Sequence, residues 1–178
     1  MEPQGALMAE HRLIERMIAI IEKKLAQIKK EHRVEPTFID AAVDFIRIYA
    51  DLTHHGKEEN ILFRNMAEKN LSQPDKQTMN ELIEEHVFVR KTTKLLADAN
   101  TWYRQGDSSA LAQIVKQLHS LVDFYPKHIA KEDKIFFPAS RAYFSQKEEQ
   151  AMLAEFCRLD REMIHRKCES IVDGLETI

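Results

Sequence analysis

One segment of this chain occurs twice. His54-His55-Gly56-Lys57-Glu58-Glu59-Asn60-Ile61-Leu62-Phe63-Arg64 is matched 74 residues later by His128-Ile129-Ala130-Lys131-Glu132-Asp133-Lys134-Ile135-Phe136-Phe137-Pro138. Both copies place a histidine four residues before a carboxylate, ahead of an acid and an apolar trio. Residues i and i+4 share one face of a helix, so each copy presents an imidazole and a carboxylate together. A second repeat accompanies the first: Glu10-His11 and Glu85-His86 lie 75 residues apart, 43 and 42 residues before their His-x-x-x-Glu motifs. The chain therefore reads as two copies of one unit, a helix with a lone histidine followed by a helix with His-x-x-x-Glu. Two such units facing each other converge four histidines and two glutamates, which is the donor set of a dinuclear metal site.

The other bounds agree with a helical protein. A length of 178 residues suggests one domain, 1–178, able to bury a core. Four Gly and five Pro are few, and long stretches lack strand-like alternation. A net charge of −3 with both signs interspersed shows no basic patch and gives no reason to invoke nucleic acid. No apolar run spans a bilayer and the N-terminus lacks a signal-peptide core, so no membrane association and a cytoplasmic location are expected. Cys157 and Cys168 fall eleven positions apart in one helical pattern, roughly 16 Å at helical rise, so reduced thiols are expected rather than a mutual disulfide.

Hydrophobic spacing sets out the helices. Residues 5–32 carry Leu7, Ile14, Ile18, Ile21, Leu25 and Ile28 on one stripe that includes His11. Pro36 opens a second helix as a first-turn proline, running to about Asn70 with Phe38, Phe45, Ile48, Tyr49 and Leu52 on its buried face. After the break at Ser72-Gln-Pro-Asp75, a third helix carries Met79, Leu82, His86, Val89, Leu96 and Tyr103. Gly106-Asp107-Ser108 reads as a C-cap followed by an N-cap. The fourth helix runs from about Ser109 to Phe137, with Pro126 expected to kink it and Pro138 to help end it. Ser145-Gln-Lys-Glu148 is a capping box that starts a fifth helix, to about Gly174, with Leu153, Ile164, Ile171, Val172 and Leu175 apolar. The fold expected is all-α: an up-down four-helix bundle over about 5–140, with an additional C-terminal helix over about 145–174 lying across its outside.

A single histidine on an apolar stripe is ordinarily a hydrogen-bonded core residue. Four of them with two carboxylates are costly to bury unless something neutralises and satisfies them, and a metal does both. Imidazole and carboxylate without thiolate suit Fe, Mn or Zn. The paired Glu-x-x-His of ferritin-like di-iron bundles is absent; Glu162-Met-Ile-His165 stands alone and reads as surface.

His11, the His54 motif, His86 and the His128 motif, in this order and spacing, resemble the haemerythrin family, in its haemerythrin-like cation-binding branch. The likeness covers about residues 5–140. It implies a non-haem di-iron centre, with Zn or Mn as substitutes, bridged by Glu58 and Glu132 and with the histidines as terminal ligands. Oxygen-carrying members have a His-x-x-x-His pair on the third helix, whereas the positions flanking His86 here are Leu82 and Arg90. Of about twelve positions on two six-coordinate irons, four histidines, two bridging carboxylates and a bridging oxygen then leave about two open, against one in the carriers. Arg90 offers either a positive group near the site or a surface charge.

The first motif has two readings. Alignment of the copies pairs His54 with Glu58; the helical wheel pairs His55 with Glu59, because Phe45, Ile48, Leu52, Leu62 and Met66 share that face. The two histidines lie about 100° apart on a regular helix, and a π-bulge near Gly56 would reconcile them. In the second copy Asp133 competes with Glu132, the i+4 geometry favouring Glu132. The candidate ligands are thus His11, His54, His55, Glu58, Glu59, His86, His128 and Glu132. The function implied is binding of, or reaction with, O2, peroxide or NO in sensing, scavenging or oxygen storage. Its rival is an iron-handling or iron–sulfur cluster repair protein that donates metal to a partner. A monomer or homodimer is expected, with no protein partner indicated.

Overall fold

The structure is a computed structural model that describes residues 2–176, and of residues 170, 171 and 173–176 the backbone alone. Ile171 and Leu175, expected on the apolar stripe of the last helix, lie outside the described side chains. The described residues form five helical rods and no strand. Helix α1 is Pro3–Glu31, closed by His32 in the left-handed region at φ 53°. Helix α2 covers 36–67 and opens on Pro36, whose missing N–H costs nothing in a first turn. It is not regular: Ile46–His55 and Glu58–Phe63 are wound as π-helix, and Leu52, expected on the buried face, is half exposed because this winding departs from the regular angular step. Helix α3, Gln73–Arg104, is capped by Ser72, whose hydroxyl accepts from the Asp75 N–H at 3.2 Å.

Helix α4 covers 110–140 and contains Pro126 without ending there. It is α-helical to Lys131, π-wound over Glu132–Phe136, and α-helical again over Phe137–Ser140. Pro138 therefore does not end the rod as expected. It stands in the first turn of the segment that follows the π turn, where no N–H is needed, and the chain leaves through a 3-10 turn at Arg141–Tyr143. Helix α5 is Gln146–Glu176. Its capping box forms as the sequence indicates: Ser145 N–H donates to Glu148 Oε2 at 2.8 Å, and Glu148 N–H to Ser145 Oγ at 3.4 Å.

The helices bury two separate hydrophobic clusters. One holds Ile14, Ile18 and Ile21 of α1, Ile39 and Ile46 of α2, Val89 and Leu96 of α3, and Leu118 and Leu121 of α4. The other holds Leu7 of α1, Leu62 and Met66 of α2, Leu82 of α3, Phe136 and Phe137 of α4, and Met152 and Phe156 of α5. Each of α1 to α4 runs from one cluster to the other in alternating direction, which is the up-down bundle. Burial of each large apolar side chain contributes about 1.5–3 kcal/mol, so these two clusters hold the rods in register. Between them each of these four rods crosses one layer that is not apolar: His11, His54 to Glu58, His86, and His128 to Glu132. Helix α5 lies along α2, tied by Arg64–Glu155 (2.8 Å), Lys57–Asp160 (2.6 Å) and Lys167–Asp44 (2.9 Å).

Candidate metal centre

The polar layer holds five histidines and two glutamates in two groups. His55, His86 and His128 form one; His11, His54, Glu58 and Glu132 form the other, and within each group a donor atom from every member lies within 4.8 Å of the rest. All seven side chains are at most 2% exposed. The two carboxylates reach towards both groups. Glu58 turns Oε1 to His54 Nε2 (3.7 Å) and Oε2 to His86 Nε2 (3.3 Å). Glu132 turns Oε2 to His11 Nε2 (3.2 Å) and Oε1 to His128 Nε2 (3.2 Å).

The remaining ring nitrogens explain why the imidazoles point inward. Nδ1 of four histidines meets a carboxylate: His11 with Asp133 (2.7 Å), His54 with Glu10 (2.9 Å), His86 with Glu59 (2.7 Å) and His128 with Glu85 (2.7 Å). Such carboxylate–histidine pairs fix the tautomer and free Nε2 for a metal. The pairs follow the repeat. Each glutamate before a lone histidine (Glu10, Glu85) holds the motif histidine of its own unit. Each acid after a motif glutamate (Glu59, Asp133) holds the lone histidine of the other unit. Lys57 binds Glu10 and Lys131 binds Glu85 (2.5 Å), while Arg90 binds Glu59 (2.8 Å) and Asp51 (2.8 Å) and Arg12 binds Asp133 (2.5 Å).

His54 and His55 are therefore not alternatives; both enter the layer. Widening the turn from i→i+4 to i→i+5 closes the angle between successive side chains, and the π winding over Ile46–His55 brings both rings inward. The second copy has α-helix at this level and Ile129 in the matching position, so His55 is an addition peculiar to the first copy. Glu59 stands outside both groups. The turn that sends Glu58 inward leaves it a quarter exposed, bonded to His86 and Arg90. Asp133 likewise supports His11 from outside, and Glu132 occupies the inner position. Glu162 and His165 are exposed, as are both cysteines. The supporting acids Glu10 and Glu85 went unread in the sequence, although both belong to the repeated dipeptides.

The electrostatics call for a cation. Burial lowers His11, but Asp133, Glu132 and Glu58 push it up to about 10. Burial lowers His86 too, and Glu132, Glu58 and Glu59 push it up to about 11. His55 is driven well below its usual range by burial and by His86, His54 and His128, and so stays neutral. Burial would raise Glu132, yet His128, His11 and His86 hold it well below the usual carboxylate range. Among the described residues, both nitrogens of His55, both oxygens of Glu58 and of Glu132, and Nε2 of His86 and of His128 are buried without a hydrogen-bond partner. So many orphaned donors and acceptors in one layer would each cost about 1–3 kcal/mol if left unmet. Metal ligation would satisfy the carboxylate oxygens and one ring nitrogen of each histidine, and His55 Nδ1 keeps Asp51 Oδ1 at 3.4 Å, so the side chains present fit a bound metal. Nitrogen and oxygen donors without thiolate suit iron, manganese or zinc.

Aromatic rings wall the layer from solvent: Phe137 stacks on His11 (5.7 Å), Phe63 on His86 (6.0 Å) and Phe124 on His128 (4.9 Å). No helix among the described residues is long and apolar enough to cross a membrane. No curated protein and no solved structure is matched by the chain. The family model described as Hemerythrin HHE cation binding domain matches residues 3–140, a span that takes in α1 to α4 and every residue of the two groups. On that match, and with a buried cluster of histidines and glutamates that fits its name, the chain belongs to the hemerythrin HHE cation-binding family.

Proposed function

We propose that the chain binds two iron ions in the polar layer and that the pair meets a small oxidant, O2, peroxide or NO. The observation that supports this most directly is the splitting of Glu58 and Glu132 between the two histidine groups, which suits carboxylates that bridge two ions. His55, His86 and His128 would hold one ion, His11 and His54 the other. Iron bound there would supply one-electron chemistry and a position for a small ligand.

His55 changes the arithmetic drawn from four histidines. If two six-coordinate ions were bound, five imidazoles and four carboxylate oxygens, with a bridging oxygen, would leave about one of twelve positions open rather than two. An ion held by His11 and His54 would have one protein donor fewer than one held by His55, His86 and His128, so a small ligand would be expected on the side of His11 and His54. The chain's own part is to orient the imidazoles through Glu10, Glu59, Glu85 and Asp133, and to exclude water with Phe63, Phe124 and Phe137. Burial to 2% or less favours a diatomic or peroxide ligand over handing metal to a partner.

Anaerobic reconstitution with ferrous iron, followed by metal analysis, should give about two ions per chain; one or none would sink the dinuclear reading. The optical spectrum of the loaded protein should change on adding O2, peroxide or NO. Two bound ions with a spectrum indifferent to all three would favour the iron-handling alternative.

A further inference from the structure

The carboxylate–lysine pairs that hold the two motif histidines are alike in both copies except in one place. In the second copy Lys131 reaches two carboxylates on α3, Glu85 at 2.5 Å and Glu81 at 3.1 Å, and Glu85 holds Nδ1 of His128. In the first copy Lys57 reaches Glu10, which holds Nδ1 of His54. The 75-residue offset that carries Glu85 onto Glu10 carries Glu81 onto Ala6. Helix α1 thus has no second carboxylate for this lysine. Helix α5 supplies one: Asp160 Oδ1 lies 2.6 Å from Lys57 Nζ. The same helix covers the lysine, which is 2% exposed against 26% for Lys131, with the Phe156 ring 5.7 Å from its ammonium.

An ammonium buried this deeply needs full neutralisation. With Glu10 as its sole partner it would compete with His54 for that carboxylate. With Asp160 on its other side, Glu10 keeps one oxygen for Lys57 and one for His54 Nδ1. We infer that Asp160 of α5 is a positioning residue of the metal centre, acting through Lys57 and Glu10 to hold the His54 imidazole towards the ion it shares with His11. Helix α5 lies beyond the span matched by the family model, so an element outside that span tunes one ion of the pair. The inference rests on the two-ion reading above.

The test uses the full chain loaded anaerobically with ferrous iron, and follows iron release to excess bipyridine. Asp160→Asn, isosteric and at a position 43% exposed, should release one of the two equivalents about 10- to 100-fold faster, as loss of an outer support typically does, with the other at the wild-type rate. Asp160→Glu should restore slow release. Glu155→Gln breaks the Arg64–Glu155 tie between the same two helices but has no line to a histidine, and should release iron as wild type. Wild-type rates in Asp160→Asn, equal acceleration of both equivalents, or equal acceleration in Glu155→Gln would each overturn the inference. Those results leave the two-ion reading standing, whereas a wild-type chain that takes up fewer than two ions defeats both.

Discussion

Glu58 and Glu59 are adjacent, chemically identical and differently placed. Glu58 is fully buried with both oxygens unmet; Glu59 is a quarter exposed and bonded to His86 and Arg90. Removing a group that reaches both histidine clusters should cost more than removing one that orients a single ring. Glu58→Ala is expected to lose most of one metal equivalent, while Glu59→Ala weakens binding about 10- to 100-fold. His54→Ala and His55→Ala should each reduce metal content, since each ring belongs to a different group. Metal content after dialysis, with helicity checked, decides the matter. Greater loss in Glu59→Ala than in Glu58→Ala would mean the inner and outer roles are reversed.

Two elements carry more than packing. The π turns at Glu58–Phe63 and Glu132–Phe136 recur at matching positions of the repeat and aim both motif glutamates inward. Such turns are less favourable than regular helix and are frequent at functional sites. The start of α5 depends on its capping box. Lys69, then the Ser145 N–H and hydroxyl, holds Glu148 at about 2 against an ordinary 4.5. Because the folded-state value is the lower one, this contribution is complete above about 4.5 and is lost as pH falls towards 2. Amide exchange in the first turn of α5 should therefore speed up across that window relative to the rest of the helix. Glu148→Ala, which removes the acceptor of the box, should show the faster exchange already at neutral pH and no further step. An unchanged first turn in that variant would mean that the cap is not what starts the helix.

The molecule is a bundle whose two apolar clusters are separated by a layer that folding alone leaves unmet. The histidines and glutamates of that layer come from all of α1 to α4, so a ligated metal would cross-link the bundle at mid-height. Chelated protein should accordingly melt at a lower temperature than the loaded form. At free metal about 1,000 times the dissociation constant the difference amounts to about 4 kcal/mol. Circular dichroism melts with and without chelator measure it; equal midpoints would place the metal outside the bundle.

The duplicated spacing was enough to read the helices, their up-down order, and His11, His86, His128 and Glu132 as members of one layer. Those features depend on local periodicity and on the repeat, and both are written along the chain. The same repeat held the supporting pairs in view, Glu10 with Glu85 and Glu59 with Asp133, but which histidine each one holds depends on how the two units face each other. His55 could not be separated from His54, nor Glu59 excluded, because a helical wheel assumes one angular step per residue and the π turns break that assumption. Asp160 has no counterpart in the repeat at all. Its contact with Lys57 joins residues 103 positions apart and exists only because α5 folds back along α2. Periodicity is a property of neighbours in sequence; the winding of α2 and the docking of α5 follow from what packs against them, and that was decided only in the tertiary structure.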